Sequence, residues 1–186
     1  MERNKPIPRS DAWKTNLIRA RKVEILLLDV DGVLTDGTIL YTEEGGESKA
    51  FNTQDGLGLR LLQDAGVAVG LITARLSGAV AKRAADLGFA HLYAGREDKA
   101  AAYTELLAET GLTSQQTAYM GDDLLDLPVL VKAGCSFAPA NAVAEVRQRV
   151  HYTTIHSGGH GAVREVCEMI LEARGQLAGI LATFTR

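Results

Sequence analysis

Two aspartates separated by one residue, Asp29 and Asp31, follow directly on the apolar run Ile25-Leu26-Leu27-Leu28. Such a run is too short for a typical helix and is typical of a strand buried on both faces. While the strand lasts, both carboxylates project to one side, and at about 4 Å they repel by roughly 4 kcal/mol at an effective dielectric constant of 20. A cation or a shared proton would relieve that repulsion. The pair therefore predicts a site for a hard metal ion with a nucleophilic carboxylate, although Asp31-Gly32 alone would also fit a strand-to-turn junction.

Three later segments also supply polar side chains near the ends of predicted strands: Thr73, Lys99, and the group Asp122, Asp123 and Asp126. The carboxyl ends of parallel strands share one edge of a sheet, so these residues can meet the two aspartates there. Taken alone, each of these also fits a role without chemistry. Thr73 fits a helix cap, Lys99 a solvated helix charge, and the aspartates the acidic first turn of a helix. Their combination in this order is far more specific than any one of them.

The elements that must position these residues alternate along the chain. Apolar strands at 67–72, 89–93, 117–120 and 135–138 alternate with helices at 56–65, 77–87, 98–109, from 121 through 132, 142–149 and 161–174. This alternation predicts an α/β fold, a doubly wound parallel (Rossmann-like) sheet with helices on both faces, in a single domain over residues 1–186. Residues 37–52 contain a glycine pair between two alternating segments, which predicts a β-hairpin, here called the flap, just beyond the aspartates.

Composition narrows the class of protein. The chain has 186 residues, 46% of them apolar, and a net charge of −3. This net negative charge does not favour binding to nucleic acid. The sequence has no apolar run near 18 residues and no apolar centre of a signal peptide, so we expect no membrane segment and a cytoplasmic protein. Its two cysteines, Cys135 and Cys167, have no metal-ligand spacing and are interpreted as reduced core thiols.

The four segments together resemble the haloacid dehalogenase superfamily of phosphotransferases. The matching motifs are Asp29-Val30-Asp31-Gly32-Val33-Leu34-Thr35, Thr73, Lys99 and Gly121-Asp122-Asp123-Leu124-Leu125-Asp126. Residues 29–37, 52–56 and 158–167 further resemble the family of 3-deoxy-D-manno-octulosonate 8-phosphate phosphatases, which act in lipopolysaccharide biosynthesis. The short hairpin is the only insertion after the first motif, as in the capless subclass, whose members are typically homotetramers with sites completed by neighbouring subunits.

The resemblance implies a Mg²⁺-dependent phosphatase acting on a small sugar phosphate. Mg²⁺ would be held by the carboxylates of Asp29 and Asp122 and by the backbone carbonyl of Asp31. Asp29 would be the nucleophile and Asp31 the general acid and base. Further implied roles are a phosphoryl contact for Thr73, charge balance for Lys99, metal-bound waters for Asp123 (slightly favoured) or Asp126, and substrate binding for Thr35 and Asp55.

Two arginines, Arg75 and Arg83, are the predicted readers of the sugar-acid end of the substrate. Their spacing is close to two helical turns, so both can lie on one face of the helix after Thr73, and a guanidinium can donate two parallel hydrogen bonds to a carboxylate. Ala74, Gln54 and His160 depart from the residues usual in the family, and the last two remove positive charge. A phosphatase for a sialic-acid-type 9-phosphate is therefore one alternative. A non-catalytic assembly module of the same fold is an alternative of another class, which the resemblance to relatives of this fold implies.

The C-terminal tail, residues 175–186, carries four large apolar residues: Leu177, Ile180, Leu181 and Phe184. A segment this short does not hold itself helical in water, so these side chains must pack on the core or on a partner. The resemblance implies a tail that reaches a neighbouring subunit's active site and helps to close it, so we expect the tail to order over the bound sugar. Docking on its own subunit is the alternative.

Overall fold

The computed structural model describes residues 9–185, and its centre is a six-stranded parallel sheet. The strands in chain order are β1 (Ile25–Leu28), β2 (Leu40–Tyr41), β3 (Glu47–Ser48), β4 (Ala68–Thr73), β5 (His91–Ala94), β6 (Thr117–Met120), β7 (Cys135–Ala138) and β8 (Tyr152–Thr153). The large sheet has the order β5-β4-β1-β6-β7-β8, and β2 and β3 form a separate antiparallel pair. The strand that precedes Asp29 therefore lies inside the sheet, between β4 and β6.

The helices cover both faces of this sheet. They are α1 (Asp11–Ala20), α2 (Thr53–Asp64), α3 (Gly78–Leu87), α4 (Lys99–Thr110), α5 (Leu127–Leu130), α6 (Ala144–Arg147), α7 (Ala162–Ala173) and α8 (Leu177–Thr183). Side chains of α1, α2, α3 and α7 form one core, and those of α4, α5 and α6 form the other. The predicted doubly wound α/β fold is thus confirmed.

The apolar run of β1 serves both cores at once. Leu26 and Leu28 pack in the first core, whereas Ile25 and Leu27 pack in the second. This alternation explains an uninterrupted aliphatic strand, because a strand covered on both faces has no solvated side. The chain leaves the sheet immediately after Leu28, so the first polar residue, Asp29, emerges at its carboxyl edge.

Several element boundaries differ from those predicted. Helix α2 begins at Thr53 rather than at residue 56, because the Asn52 side chain caps it by accepting hydrogen bonds from Gln54 N and Asp55 N. The helix predicted through Lys132 is a 3-10 turn at Leu124–Asp126 followed by the four residues of α5. Strand β8 was not predicted, since two residues are too few to show an alternating pattern.

The flap is a minimal hairpin. Its two strands pair only at Leu40 with Ser48 and at Tyr41 with Glu47, and Thr42 N donates to Gly46 O at 2.8 Å across the turn. The short insertion is consistent with the prediction of a fold without a cap domain.

The C-terminal tail lies at the amino edge of the sheet. Leu177 of α8 is buried, and Ile180 packs against the same core. Gln176 Nε2 donates to Ala65 O at 3.3 Å, just before β4, and Arg174 donates to Val23 O at 2.8 Å, just before β1. The tail thus docks on its own chain, opposite the edge at which β1 and β4 end, so it does not cover a site there within the same chain.

Within residues 9–185, no helix combines the length and the hydrophobicity that crossing a bilayer requires. The polar N-terminal residues 1–8 lie outside the part of the chain that the structure describes.

Candidate active site

The ends of β1, β4 and β6 and the start of α4 meet around one cleft of about 380 Å³. Asp29 N donates to Met120 O at 2.9 Å, which fixes the end of β1 against β6. The structure brings most of the predicted residues together in this lining, namely Asp29, Asp31, Thr73, Arg75, Lys99, Asp122, Asp123 and Asp126. Residues from four separate segments of the sequence therefore converge at the carboxyl edge of the sheet, as predicted.

Three of these carboxylates form a compact group, here called the acidic centre: Asp29, Asp122 and Asp126. One oxygen of each lies within 4.8 Å of the others. Burial, together with the charge of Asp126, raises the pKa of Asp29 from 3.8 to about 7. Burial and the charge of Asp29 likewise raise the pKa of Asp122 to about 7. The acidic centre thus concentrates more negative charge than its buried surroundings favour.

A single lysine offsets part of this charge. Lys99 is only 3% exposed, and its Nζ lies 2.9 Å from Asp29 Oδ1 and 2.7 Å from Asp126 Oδ1. Burial works against the ammonium, but the carboxylates of Asp29 and Asp126 outweigh it and raise the pKa of Lys99. Lys99 therefore stays charged and holds the two carboxylates at a fixed separation.

Asp126 is the most strongly held member of the acidic centre. It is fully buried, and Oδ1 accepts hydrogen bonds from Lys99 Nζ and from the hydroxyl of Tyr119, both at 2.7 Å. Its Oδ2 accepts from the backbone N–H groups of Asp122 at 3.0 Å and of Asp123 at 3.2 Å. Asp126 thus shapes the loop that carries Asp122.

Asp123 has a different environment. Its side chain is exposed and accepts a hydrogen bond from Leu124 N at 2.7 Å, so it caps the following turn. The geometry places Asp126, and not the slightly favoured Asp123, within the acidic centre.

The donor set of the acidic centre fits a divalent cation. Carboxylate and carbonyl oxygens are the ligands that Mg²⁺ prefers. Asp122 Oδ1 is buried, and within residues 9–185 it finds no hydrogen-bond donor. An oriented, unpaired oxygen beside two further carboxylates is the arrangement that a metal ion completes. The residues present therefore fit the predicted Mg²⁺ site.

Thr73 lies on the β4 side of the cleft. It is the last residue of β4 and is 2% exposed. Its hydroxyl accepts a long hydrogen bond of 3.4 Å from Arg75 N, and its carbonyl accepts from Arg96 N at 3.0 Å. The backbone around Thr73 is thus fixed, with the side chain at the cleft.

Asp31 lies beside Arg75 and two charged residues that the sequence analysis did not single out, Lys49 and Glu47. Lys49, on the flap, forms an ion pair with Asp31, and its Nζ lies 3.1 Å from Glu47 Oε1. Arg75 approaches the same two carboxylates, with Nη2 2.6 Å from Glu47 and Nε 3.8 Å from Asp31. Hydrogen bonds from Arg75 and Lys49 lower the pKa of Glu47 to about 2. Glu47, Lys49 and Phe51 are alternate residues of one flap segment, which predicts that their side chains lie on the same side. This spacing was the available signal in the sequence for Lys49 and Glu47.

Two predicted substrate contacts lie inside the protein instead. Thr35 is 2% exposed, and its hydroxyl accepts a hydrogen bond from Gly37 N at 3.2 Å, which braces the loop after Asp31. Asp55 is 1% exposed, and its carboxylate accepts from Arg164 N at 2.8 Å at the start of α7. Both side chains are used for internal hydrogen bonds, and neither lines the cleft, so their substrate-binding role stays a prediction.

The predicted placement of Arg75 and Arg83 on one helix face is also wrong. Arg75 lies in the turn between β4 and α3, because α3 begins only at Gly78. Arg83 is on α3, and its guanidinium donates to Asn52 O at 3.0 Å, outside the lining of the cleft. Of the two arginines, only Arg75 lines the cleft.

Comparison with known proteins gives three concordant results. The model of a family of haloacid dehalogenase-like hydrolases matches residues 86–166. The 3-deoxy-D-manno-octulosonate 8-phosphate phosphatase KdsC of Yersinia pestis is 46% identical over 161 residues, which cover 87% of this chain and 86% of the relative.

Solved structures agree with this match. The 3-deoxy-D-manno-octulosonate 8-phosphate phosphatase of Moraxella catarrhalis, in complex with magnesium, phosphate and KDO, is 41% identical with a TM-score of 0.90, over 92% of this chain and 98% of that one. The cobalt-bound enzyme of Haemophilus influenzae is 39% identical with a TM-score of 0.83, over 86% and 94%. The chain therefore belongs to the 3-deoxy-D-manno-octulosonate 8-phosphate phosphatase family of haloacid dehalogenase-like hydrolases.

Proposed function

We propose that this protein is a Mg²⁺-dependent phosphatase that hydrolyses 3-deoxy-D-manno-octulosonate 8-phosphate to the free sugar acid and phosphate, in lipopolysaccharide biosynthesis. The observation that carries the proposal is the acidic centre together with Lys99. Distant segments of the sequence bring these residues together in the cleft at the ends of β1 and β6. Family membership supports the choice of substrate. A non-catalytic assembly module of this fold has no need of such an arrangement.

Asp29 is the nucleophile in this proposal. Its carboxylate attacks phosphorus and forms an aspartyl-phosphate while the sugar oxygen leaves, which divides one slow hydrolysis into two faster steps. The side chains of Asp29 and Asp122 and the backbone carbonyl of Asp31 would hold Mg²⁺, whose charge would lower the repulsion between the phosphate dianion and the attacking carboxylate. Asp126 and Lys99 keep Asp29 and the loop of Asp122 in position.

Asp31 moves the protons. It first protonates the leaving sugar oxygen and then accepts a proton from the water that hydrolyses the aspartyl-phosphate. Thr73 donates its hydroxyl hydrogen to a phosphoryl oxygen, and Lys99 balances the charge of the transferred group. Both are buried beside Asp29, where a fixed donor stabilises charge better than water does.

The charges at the cleft rim suit a substrate that carries a second anion. Arg75 lines the cleft next to Asp31, with its side chain 40% exposed, and a carboxylate is the anion that an arginine fork binds well. The Lys49 side chain is buried in its ion pairs with Asp31 and Glu47 and holds the flap against this side of the cleft. A sialic-acid-type 9-phosphate shares this chemistry and remains the second candidate substrate. Gln54 and His160, which remove positive charge relative to the family pattern, remain the departures that bear on this choice.

A screen of sugar phosphates for phosphate release, with and without Mg²⁺, tests the proposal. We expect the octulosonate 8-phosphate to be the preferred substrate, excess EDTA to abolish turnover, and added Mg²⁺ to restore it. A higher kcat/KM for the sialic-acid-type 9-phosphate would transfer the assignment to the second candidate. Metal-replete protein that released no phosphate from any sugar phosphate would favour the assembly module.

We further propose a single phosphatase domain that acts in the cytoplasm as a homotetramer. The continuous six-stranded sheet supports one domain, and two buried, unpaired cysteines suit a reducing compartment.

Large apolar side chains are exposed on the flap and beside the cleft, namely Leu40, Tyr41, Leu76 and Leu125, which favours contact with a neighbouring subunit. Multi-angle light scattering that gave a monomer mass would contradict the tetramer.

A further inference from the structure

Two loops from distant parts of the sequence lie against each other behind the cleft. The nucleophile loop, residues 29–37, carries Asp29 and Asp31, and the glycine loop, residues 155–161, connects β8 to α7. Gly159 N donates to Val33 O at 3.0 Å, and a Cβ atom on Gly158 or Gly159 would overlap the backbone of the nucleophile loop. The loops therefore meet backbone to backbone, without a side chain to absorb a displacement.

Gly32 transmits this contact to the acidic centre. Its carbonyl faces Gly158, whereas its Cα faces Asp122, so that a Cβ atom on Gly32 would overlap the Asp122 carboxylate. Its φ of +86° is also accessible mainly to glycine. A shift of the glycine loop thus displaces Gly32 between two proposed metal-binding residues, Asp31 and Asp122.

A buried carboxylate holds the beginning of the glycine loop. Glu165, in the first turn of α7, is 8% exposed and accepts hydrogen bonds from Ile155 N at 3.1 Å and from His156 N at 3.2 Å. The hydroxyl of Tyr152 donates to its Oε1 at 2.7 Å, and Nδ1 of His156 lies 2.7 Å from its Oε2. Four donors on one carboxylate leave the first two residues of the loop little freedom.

Other hydrogen bonds hold the rest of the loop. Asp55 accepts from Gly161 N at 3.3 Å, Asn141 accepts from Gly158 N at 2.8 Å, and Asn52 donates to Gly159 O at 3.1 Å. Neither Glu165 nor His156 lines the cleft. Any effect of Glu165 or His156 on the reaction would therefore have to act through the position of the glycine loop.

We propose that Glu165 and His156 are positioning residues that set the geometry of the metal site through the glycine loop and Gly32. This inference rests on the Mg²⁺ site of the proposed function but not on the identity of the sugar. If Glu165 only stabilised the packing of α7, its removal would affect stability without a specific effect on metal binding.

His156 offers the sharpest test, because its side chain is 57% exposed and its removal opens no core cavity. Asparagine at this position can still donate to Glu165, whereas alanine cannot. Calorimetric titration with Mg²⁺ alone measures the affinity without substrate, and mass spectrometry measures hydrogen exchange of the amides in residues 31–37. We expect His156→Ala to weaken Mg²⁺ binding about threefold and Glu165→Gln about tenfold, the lower end for outer-sphere partners.

Both variants should also exchange faster in residues 31–37, whereas His156→Asn should bind Mg²⁺ within about twofold of wild type. The matched control is Glu168→Gln, on the same helix, because Glu168 pairs with Arg164 and Arg9 and not with the glycine loop. It should leave both readouts unchanged.

Equal Mg²⁺ affinity and equal exchange in wild type, His156→Ala and Glu165→Gln, even with a lower Tm, would overturn the proposal. If Glu165→Gln fails to fold, the two His156 variants decide alone. Failure of the proposed function would be visible separately, as wild-type protein that binds Mg²⁺ but does not hydrolyse the octulosonate ester.

Discussion

The acidic centre lines the cleft and the flap contacts the cleft through the Lys49–Asp31 ion pair, but the two regions hold their charged groups by different means. Asp29 and Asp126 are buried, and the acidic centre is tied to the sheet by backbone hydrogen bonds from Asp29 N and onto Asp126 Oδ2. Lys49 and Glu47 lie on or beside strands of two residues, and they are held by ion pairs with Asp31 and Arg75. The sheet edge thus fixes the acidic centre through backbone hydrogen bonds, whereas the position of the flap depends on ion pairs between side chains.

The largest effect should come from breaking the acidic centre. Asp29→Asn keeps the shape of the side chain but removes the nucleophilic charge and a metal ligand. We expect kcat to fall at least about a thousandfold on every phosphate ester, with an unchanged circular dichroism spectrum. Steady-state phosphate release in saturating Mg²⁺ measures this. A variant that retained a tenth of the wild-type rate would contradict a covalent mechanism.

Breaking the flap side should change selectivity rather than the reaction. Arg75→Glu places a carboxylate where we propose the sugar acid binds, so kcat/KM for the octulosonate ester should fall about tenfold or more relative to an aryl phosphate, as expected for the loss of a charged hydrogen bond. The ratio of the two kcat/KM values is the measurement. Arg60→Glu is the control, because Arg60 is exposed and lies outside the lining of the cleft, where it donates to Asp86 O at 3.2 Å. An unchanged ratio for Arg75→Glu would remove Arg75 from substrate recognition.

A pH series on metal-free protein sharpens the same comparison for the acidic centre. Because the pKa of Asp122 rises from 3.8 to about 7 in the folded state, the folded protein binds more protons than the unfolded chain between these values. The contribution of Asp122 to the free energy of unfolding is therefore present below about pH 4 and is lost as the pH rises through 7. In EDTA we expect Tm to fall from pH 5.5 to pH 8, and Mg²⁺ to raise Tm more at pH 8.

The matched variant for this series is Asp122→Asn, which cannot titrate at that position. Its Tm in EDTA should depend less on pH, and Mg²⁺ should stabilise it less. Equal slopes in wild type and Asp122→Asn would show that Asp122 does not titrate in this range as we expect.

The smallest effect on activity should come from the tail, which lies far from both regions. Deletion of residues 176–186 removes the burial of Leu177 and the packing of Ile180, about 2 kcal/mol. For a chain of this size we expect Tm to fall by about 4 °C or more. Thermal unfolding and kcat of the octulosonate ester are measured in parallel. A large loss of kcat with unchanged Tm would instead support closure of a neighbouring subunit's site.

The sequence by itself determined where the chemistry lies. A strand with apolar side chains on both faces must be buried, and the first polar residue after it must emerge at an edge, so the run Ile25–Leu28 located Asp29 without knowledge of the fold. The same reasoning located Thr73 at the end of β4 and Asp122 just after β6, and the alternation of helices and strands located the edge that they share. These features follow from periodicity and burial, which are local properties of a sequence.

Only the tertiary structure decided which polar side chains face the cleft. Thr35 and Asp55 are as polar as Asp31, yet their oxygens are used by backbone N–H groups of the loop after Asp31 and of α7. Lys49 is an ordinary flap lysine until the hairpin folds back onto Asp31. The use of a hydrogen-bonding group depends on the partners that packing brings to it, often from more than 100 residues away, as with Asp55 and Arg164, and local sequence carries no record of that distance.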